Sequence, residues 1–275
     1  MELLTNTQIT LLIIGVILAA GLGGILAGLL GVGGGIVIVP VLFWVFTFLD
    51  FDPMLAMPVA VATSLATIIA TAFSSARAHH KRGAVDMALV KRWGPWMAAG
   101  ALLGGAVAGL VDAGALMLVF GLVGLAVSVN LARTNTLVLA PELPKGKAGQ
   151  PALAGAIGTV SAMMGIGGGT LGVPILTAFS VPVHRAVGTA SAFGLIIGIP
   201  AVISLIVAGL RVEGLPPLSL GYVNLVAAAI IVPISTFMAP RGAKLAHALD
   251  PKWVKRAFAV FLTITSLRML WTALT

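Results

Sequence analysis

Long apolar runs separated by short polar breaks cover the chain from end to end. Read between those breaks, they predict helical segments near 8–30, 54–76, 93–110, 114–131, 150–166, 186–209, 219–239 and 257–274. A helix needs about 20 predominantly apolar residues to cross a hydrocarbon layer about 30 Å thick, and these eight segments fall close to that length. Two shorter runs, Ile36–Leu49 and Thr170–Val181, each follow a glycine string. At about 1.5 Å per residue they reach part-way or barely across, as re-entrant helices or as short crossings.

The glycine strings are copies of each other. Residues 31–40 read GVGGGIVIVP and residues 165–174 read GIGGGTLGVP, 134 positions later. A second block, AVATS at 60–64, matches AVGTA at 186–190 and aligns Thr63 with Thr189. The gap between the two blocks is longer in the first copy, which makes the aromatic stretch Phe43–Phe48 an elaboration of it. The chain therefore reads as a first transmembrane repeat over 1–131, a cytoplasmic linker over 132–149, and a second repeat over 150–275.

Basic residues decide how many segments cross. If both short runs are re-entrant, the loop Lys and Arg residues divide nine against six. If both cross, fourteen collect on one side, with Arg211 alone on the other and Arg268 inside a span. Cytoplasmic loops carry the excess of Lys and Arg, so ten segments are expected, with both termini outside. Five segments per copy put the copies in opposite orientations, an architecture of many secondary transporters. The fold expectation is an all-α polytopic membrane protein with an inverted 5+5 repeat, two of its ten segments short and following glycine-broken helices.

Composition narrows the function. Charged residues make up 9% of the chain and hydrophobic ones 59%, with mean hydropathy +1.13, against roughly 25% charged in soluble domains. Ile9–Leu30 has no basic residues before it, so the first run reads as a retained span rather than a cleaved leader. The net charge of +8 sits in short loops beside spans, where it sets topology; nucleic acid is not an expected partner. Absence of cysteine excludes disulfides and thiolate chemistry. Without a Walker string, a metal-spaced histidine pair or a nucleophile elbow, the chain is read as non-enzymatic and free of cofactors.

The candidate chemistry is anion binding. Consecutive glycines form a concave nest of N–H groups, and the helix that follows turns its positive end to the same point. Gly33, Gly34 and Gly35, with Gly167, Gly168 and Gly169, are therefore the leading candidates. Lone glycines such as Gly23, Gly24, Gly28, Gly104, Gly105 and Gly109 are read as close helix contacts. Thr63, Thr67 and Thr71 recur every fourth residue and share a helix face. Thr63 and Thr189 are favoured as hydroxyl donors because they repeat, with Ser64 and Ser191 beside them. Membrane hydroxyls equally often bond a carbonyl one turn back. His184 and Arg185 follow the shortest segment and would sit in a cytoplasm-facing vestibule if that segment stops short; ordinary loop charge is the alternative. The eight acidic residues all fall in predicted loops or at span ends, leaving no buried carboxylate for a cation or a proton relay.

The paired strings GVGGGIVIVPVL and GIGGGTLGVPIL, with the AVATSLA and AVGTASA blocks, resemble the TauE/SafE family of sulfite and organosulfonate permeases over about residues 8–272. The resemblance implies ATP-independent movement of a small sulfur-containing anion (sulfite, sulfonate or thiosulfate class) across the bacterial inner membrane, with export favoured. It carries the site to Gly33, Gly34, Gly35, Thr63, Ser64, Gly167, Gly168, Gly169 and Thr189; Ala190 stands where the first copy has Ser64. An anion-selective channel is the alternative function. The partners expected are the anion and the bilayer, and a homo-oligomer is compatible with both.

Overall fold

A computed structural model describes residues 6–30, 34–133, 138–144, 148–245 and 251–275. The first half contains α1 (Asn6–Leu30), α2 (Gly35–Phe48), α3 (Pro53–Lys81), α4 (Met87–Ala108) and α5 (Ala113–Ala132). The second contains α6 (Gly149–Met164), α7 (Gly168–Ala178), α8 (Val183–Gly209), α9 (Leu225–Leu245) and α10 (Pro251–Leu274). The helices α3, α5, α8, α9 and α10 are long and apolar enough to cross a bilayer. The protein is an all-α polytopic membrane protein, and the expected break between halves falls between α5 and α6.

Polar residues mark where helices start. The carboxylates of Asp52, Asp86 and Asp112 accept from the N–H groups of Met54, Leu89 and Ala115 at 2.8, 3.0 and 2.7 Å, satisfying donors that a helix start leaves unpaired. Three acidic side chains are thereby consumed as caps. Several helices run past their apolar windows. α3 continues through His79, His80 and Lys81, and the Lys81 ammonium favours the negative end of the helix dipole. α8 begins at Val183, so His184 and Arg185 lie in its first turn rather than in a loop.

The segment expected over 219–239 is corrected at its start. Ser219–Leu220 and Val223–Asn224 form a two-residue antiparallel hairpin, and the helix begins only at Leu225. Gly221 takes a positive φ of 53° at the turn, which suits a two-residue hairpin connection. It rests against the backbone of Ile206, while Gly209 leaves room for the turn beside α8.

The packing repeats under exchange of the halves. α1 packs on α9 as α6 packs on α4; α2 packs on α3 as α7 packs on α8; α3 meets α8, and α5 meets α10. Small residues make these approaches close. Gly24 lies against Ser235 of α9, and Gly158, 134 positions later, lies against Met97 of α4. Gly100 and Gly104 of α4 sit on the backbones of Gly155 and Thr159, and the Thr159 hydroxyl donates to the Gly100 carbonyl at 3.0 Å. Such contacts replace the hydrophobic drive that is missing between helices in lipid.

The ends sort by charge. Arg77, Lys81, Arg82, Lys91 and Arg92 surround the α3–α4 turn. Arg185 reaches that turn and pairs with Asp86 at 2.9 Å. The connector joins the same end, where Leu139 donates to the Ala178 carbonyl at 2.8 Å. The opposite end holds the α3 start and the α8–α9 hairpin, with Gly214 beside Leu55.

Candidate functional site

Two reciprocal bonds tie each half to the other. The backbone N–H of Asp86, which caps α4, donates to the Thr189 hydroxyl of α8 at 3.0 Å. The backbone N–H of Asn224, which caps α9 by accepting from Ala227 at 2.9 Å, donates to the Thr63 hydroxyl of α3 at 2.9 Å. Thr63 and Thr189 are fully buried. The repeated threonines thus accept from the helix start that the other half contributes, and neither lines the cavity described below. A side-chain oxygen buried in apolar surroundings needs a partner, and a loop that dips into the bundle supplies one.

The glycine strings meet. Gly165 ends α6 in the left-handed conformation, φ 69°, and its carbonyl lies against Gly35 at the start of α2. Ser64 donates to that carbonyl at 2.7 Å. Any side chain at Gly35 would collide with it. Gly34, at φ 74°, is backed by the Gly23 carbonyl, 2.6 Å from where a Cβ would stand. The described part of the first string is therefore packed into protein; Gly33 lies outside the described residues.

The second string borders a cavity. Gly167, Gly168 and Gly169 at the start of α7 line it with Thr71, Ala72 and Ser75 of α3, Ala190, Ser191 and Gly194 of α8, and Ala27 of α1. Its free space is about 10 Å³, room for the centre of one water molecule. Gly168 packs against Phe193, whose ring stacks on Trp93 at 5.9 Å between centroids. The Trp93 indole N–H donates to Gln150 at 3.0 Å. This buried chain fixes how α7 leans on α8.

Of the predicted hydroxyls, Ser191 alone lines the cavity; Thr71 and Ser75 are the additions. Ser75 lies on the α3 face continued from Thr71 by four positions, beside the hydroxyls that repetition singles out. Arg185, 56% exposed, is held by Asp86, and His184 is exposed on the same turn. Both therefore lie outside the cavity, at the basic end of the bundle, where Arg185 is in an ion pair.

The electrostatics are simple. Among the described residues, the buried side chains with polar atoms are serines, threonines, Asn224, Trp93 and Tyr222, with no Asp, Glu, Lys, Arg or His among them. No group of three His, Cys, Asp or Glu comes together among them either. The cavity is bordered by glycine backbone, three hydroxyl side chains and the positive end of α7, an arrangement suited to acceptor oxygens carrying negative charge.

The comparisons agree in kind. A "Probable membrane transporter protein" of Haemophilus influenzae is 33% identical over 260 residues, 92% of this chain and 96% of that protein. The "Probable membrane transporter protein YunE" of Bacillus subtilis is 27% identical over 88% of this chain and 90% of its own. The "Probable membrane transporter protein MJ0441" of Methanocaldococcus jannaschii is 26% identical over 90% of this chain and 91% of its own. No solved structure matches. The family described as "Sulfite exporter TauE/SafE" matches residues 16–269, so the chain belongs to that family and is a membrane transporter.

Proposed function

We propose that the protein carries a small sulfur-containing oxyanion, of the sulfite, sulfonate or thiosulfate class, across the bacterial inner membrane, and that the cavity at the start of α7, widened beyond the one-water space it has in this conformation, is where it binds. The observation that carries this reading is the lining: a glycine-built helix start and hydroxyls, with no ionisable side chain. Neutral donors in a low-dielectric site favour an anion and still release it, where a buried lysine or arginine would hold it too tightly.

The two halves are inserted in opposite orientations, and rocking of one on the other would expose the site alternately. The end carrying Arg77–Arg92 and Arg185 is then cytoplasmic. An inside-negative potential drives an uncoupled anion outward by about 2.3 kcal/mol per charge per 100 mV, so export is the natural direction. An anion-selective channel would share the lining, but the narrow, glycine-walled cavity favours a carrier.

Purified protein in liposomes tests this. Sulfite, thiosulfate and sulfoacetate are loaded inside and efflux is followed, with sulfate and taurine for comparison. Saturable efflux that is accelerated by the same anion outside supports a carrier. Non-saturating conductance supports the channel, and no flux of any of the five sinks the reading.

A further inference from the structure

Three hydroxyls border the cavity, and each has a single hydrogen to give. Thr71 gives its hydrogen to the carbonyls of Thr67 and Ile68, both at 3.2 Å. Ser191 donates to the Gly188 carbonyl at 2.6 Å. Ser75 is 3% exposed and has no hydrogen-bond partner at its hydroxyl. Most buried hydroxyls are satisfied, and one that is not calls for an explanation. Leaving it unpaired costs stability, a cost that a guest able to accept the hydrogen would remove.

The copies differ at this point. Under the alignment of Thr63 with Thr189, Thr71 and Ser75 of α3 correspond to Ile197 and Ala201 of α8. The twofold packing is therefore not matched by twofold chemistry. The donors collect on one side, where α3 of the first half faces the α7 start of the second.

We propose that Ser75 is the hydroxyl that recognises the transported solute, donating to one oxygen of a compact oxyanion seated against Gly167–Gly169. Thr71 and Ser191 shape the wall without donating, because their hydrogens are already committed. The solute takes the acceptor role that protein groups leave vacant at Ser75. Ala27, Ala72, Ala190 and Gly194 supply the small apolar surround, which limits the solute to a small head. This rests on the transport reading above and adds to it a specificity-determining residue.

Binding to the full-length purified chain separates the two. Sulfite, thiosulfate and sulfoacetate are titrated into wild type, Ser75→Ala, Ser75→Cys, Ser191→Ala and Thr71→Val, and melting of the solute-free proteins is followed alongside. Ser75→Ala is expected to bind roughly tenfold more weakly or worse, with a solute-free melting temperature equal to or above wild type, since an unpaired buried hydroxyl has gone. Ser75→Cys keeps the size with a weaker donor and falls between. Ser191→Ala and Thr71→Val alter the wall but remove hydroxyls whose hydrogens are already committed, so each loses less affinity than Ser75→Ala; an equal or larger loss in either overturns the special role of Ser75. Wild-type affinity in Ser75→Ala overturns the role of Ser75 and leaves the transport reading standing. A drop in its solute-free melting temperature with unchanged binding shows a packing role and overturns it as well. No binding by wild type to any of the three overturns both.

Discussion

Replacing Thr63 by valine keeps the shape and removes the hydroxyl that accepts from Asn224 at 2.9 Å. Asn224 is 4% exposed and Thr63 fully buried, so water cannot take the bond over. A buried N–H left without a partner costs about 1–3 kcal/mol. Hydrogen bonds within membranes average about 0.6 and reach about 1.7 kcal/mol, because the unfolded chain in lipid also finds partners. These two figures together place the expected loss for Thr63→Val at about 1–2 kcal/mol. Thr189→Val should lose less, since its bond to the Asp86 N–H is only partly buried, whereas that of Thr63 is fully buried. Thermal melts of the purified protein should show the order wild type, Thr63→Ser, Thr189→Val, Thr63→Val, with about 2–4 °C per kcal/mol. The serine variant retains the acceptor and separates the bond from the packing of the methyl group. If Thr63→Val melts with Thr63→Ser, the bond between the halves contributes nothing and the account of the repeated threonines fails.

Gly100→Ala should lower the melting temperature, because its Cβ would press into the Gly155 backbone. Gly21→Ala, whose Cβ meets nothing, should be neutral or stabilising by up to about 1 kcal/mol; equal effects would remove the packing explanation. Arg185→Gln should leave anion affinity within about twofold, since an exposed ion pair is worth about 0–1 kcal/mol, and a large loss would restore the vestibule. In this cysteine-free chain, Arg82→Cys and Glu213→Cys should react with an impermeant thiol reagent from opposite faces of sealed vesicles. Labelling from one face would refute the topology proposed above.

Much of the architecture could be read from the sequence because two signals are physically direct. Apolar length sets spans, and a duplicated string sets the pairing of halves; the exchange of α1 on α9 for α6 on α4 follows from it. The hairpin at 219–224 was hidden, since Leu220, Tyr222 and Val223 are as apolar as any span and only Gly221 marks the turn. At the site, repetition has a structural use. Thr63 and Thr189 recur because each half needs an acceptor for the helix start of the other, a use that no local pattern reveals. Ser75 does not recur, and its unpaired hydroxyl is visible only in three dimensions. Arg185 looked available because Asp86, its partner, lies 99 positions away.

The short helix α7 is tethered at its far end, where the Ala178 carbonyl takes an amide hydrogen from Leu139, and its glycine end rests on Phe193 and Ile197 of α8. A rod of eleven residues is about 16 Å long, so swinging it by about 10° around the tether displaces the glycines by about 3 Å. A pivot of this kind would widen the chamber without unwinding any turn, and the strap that joins the halves is the part that would feel it.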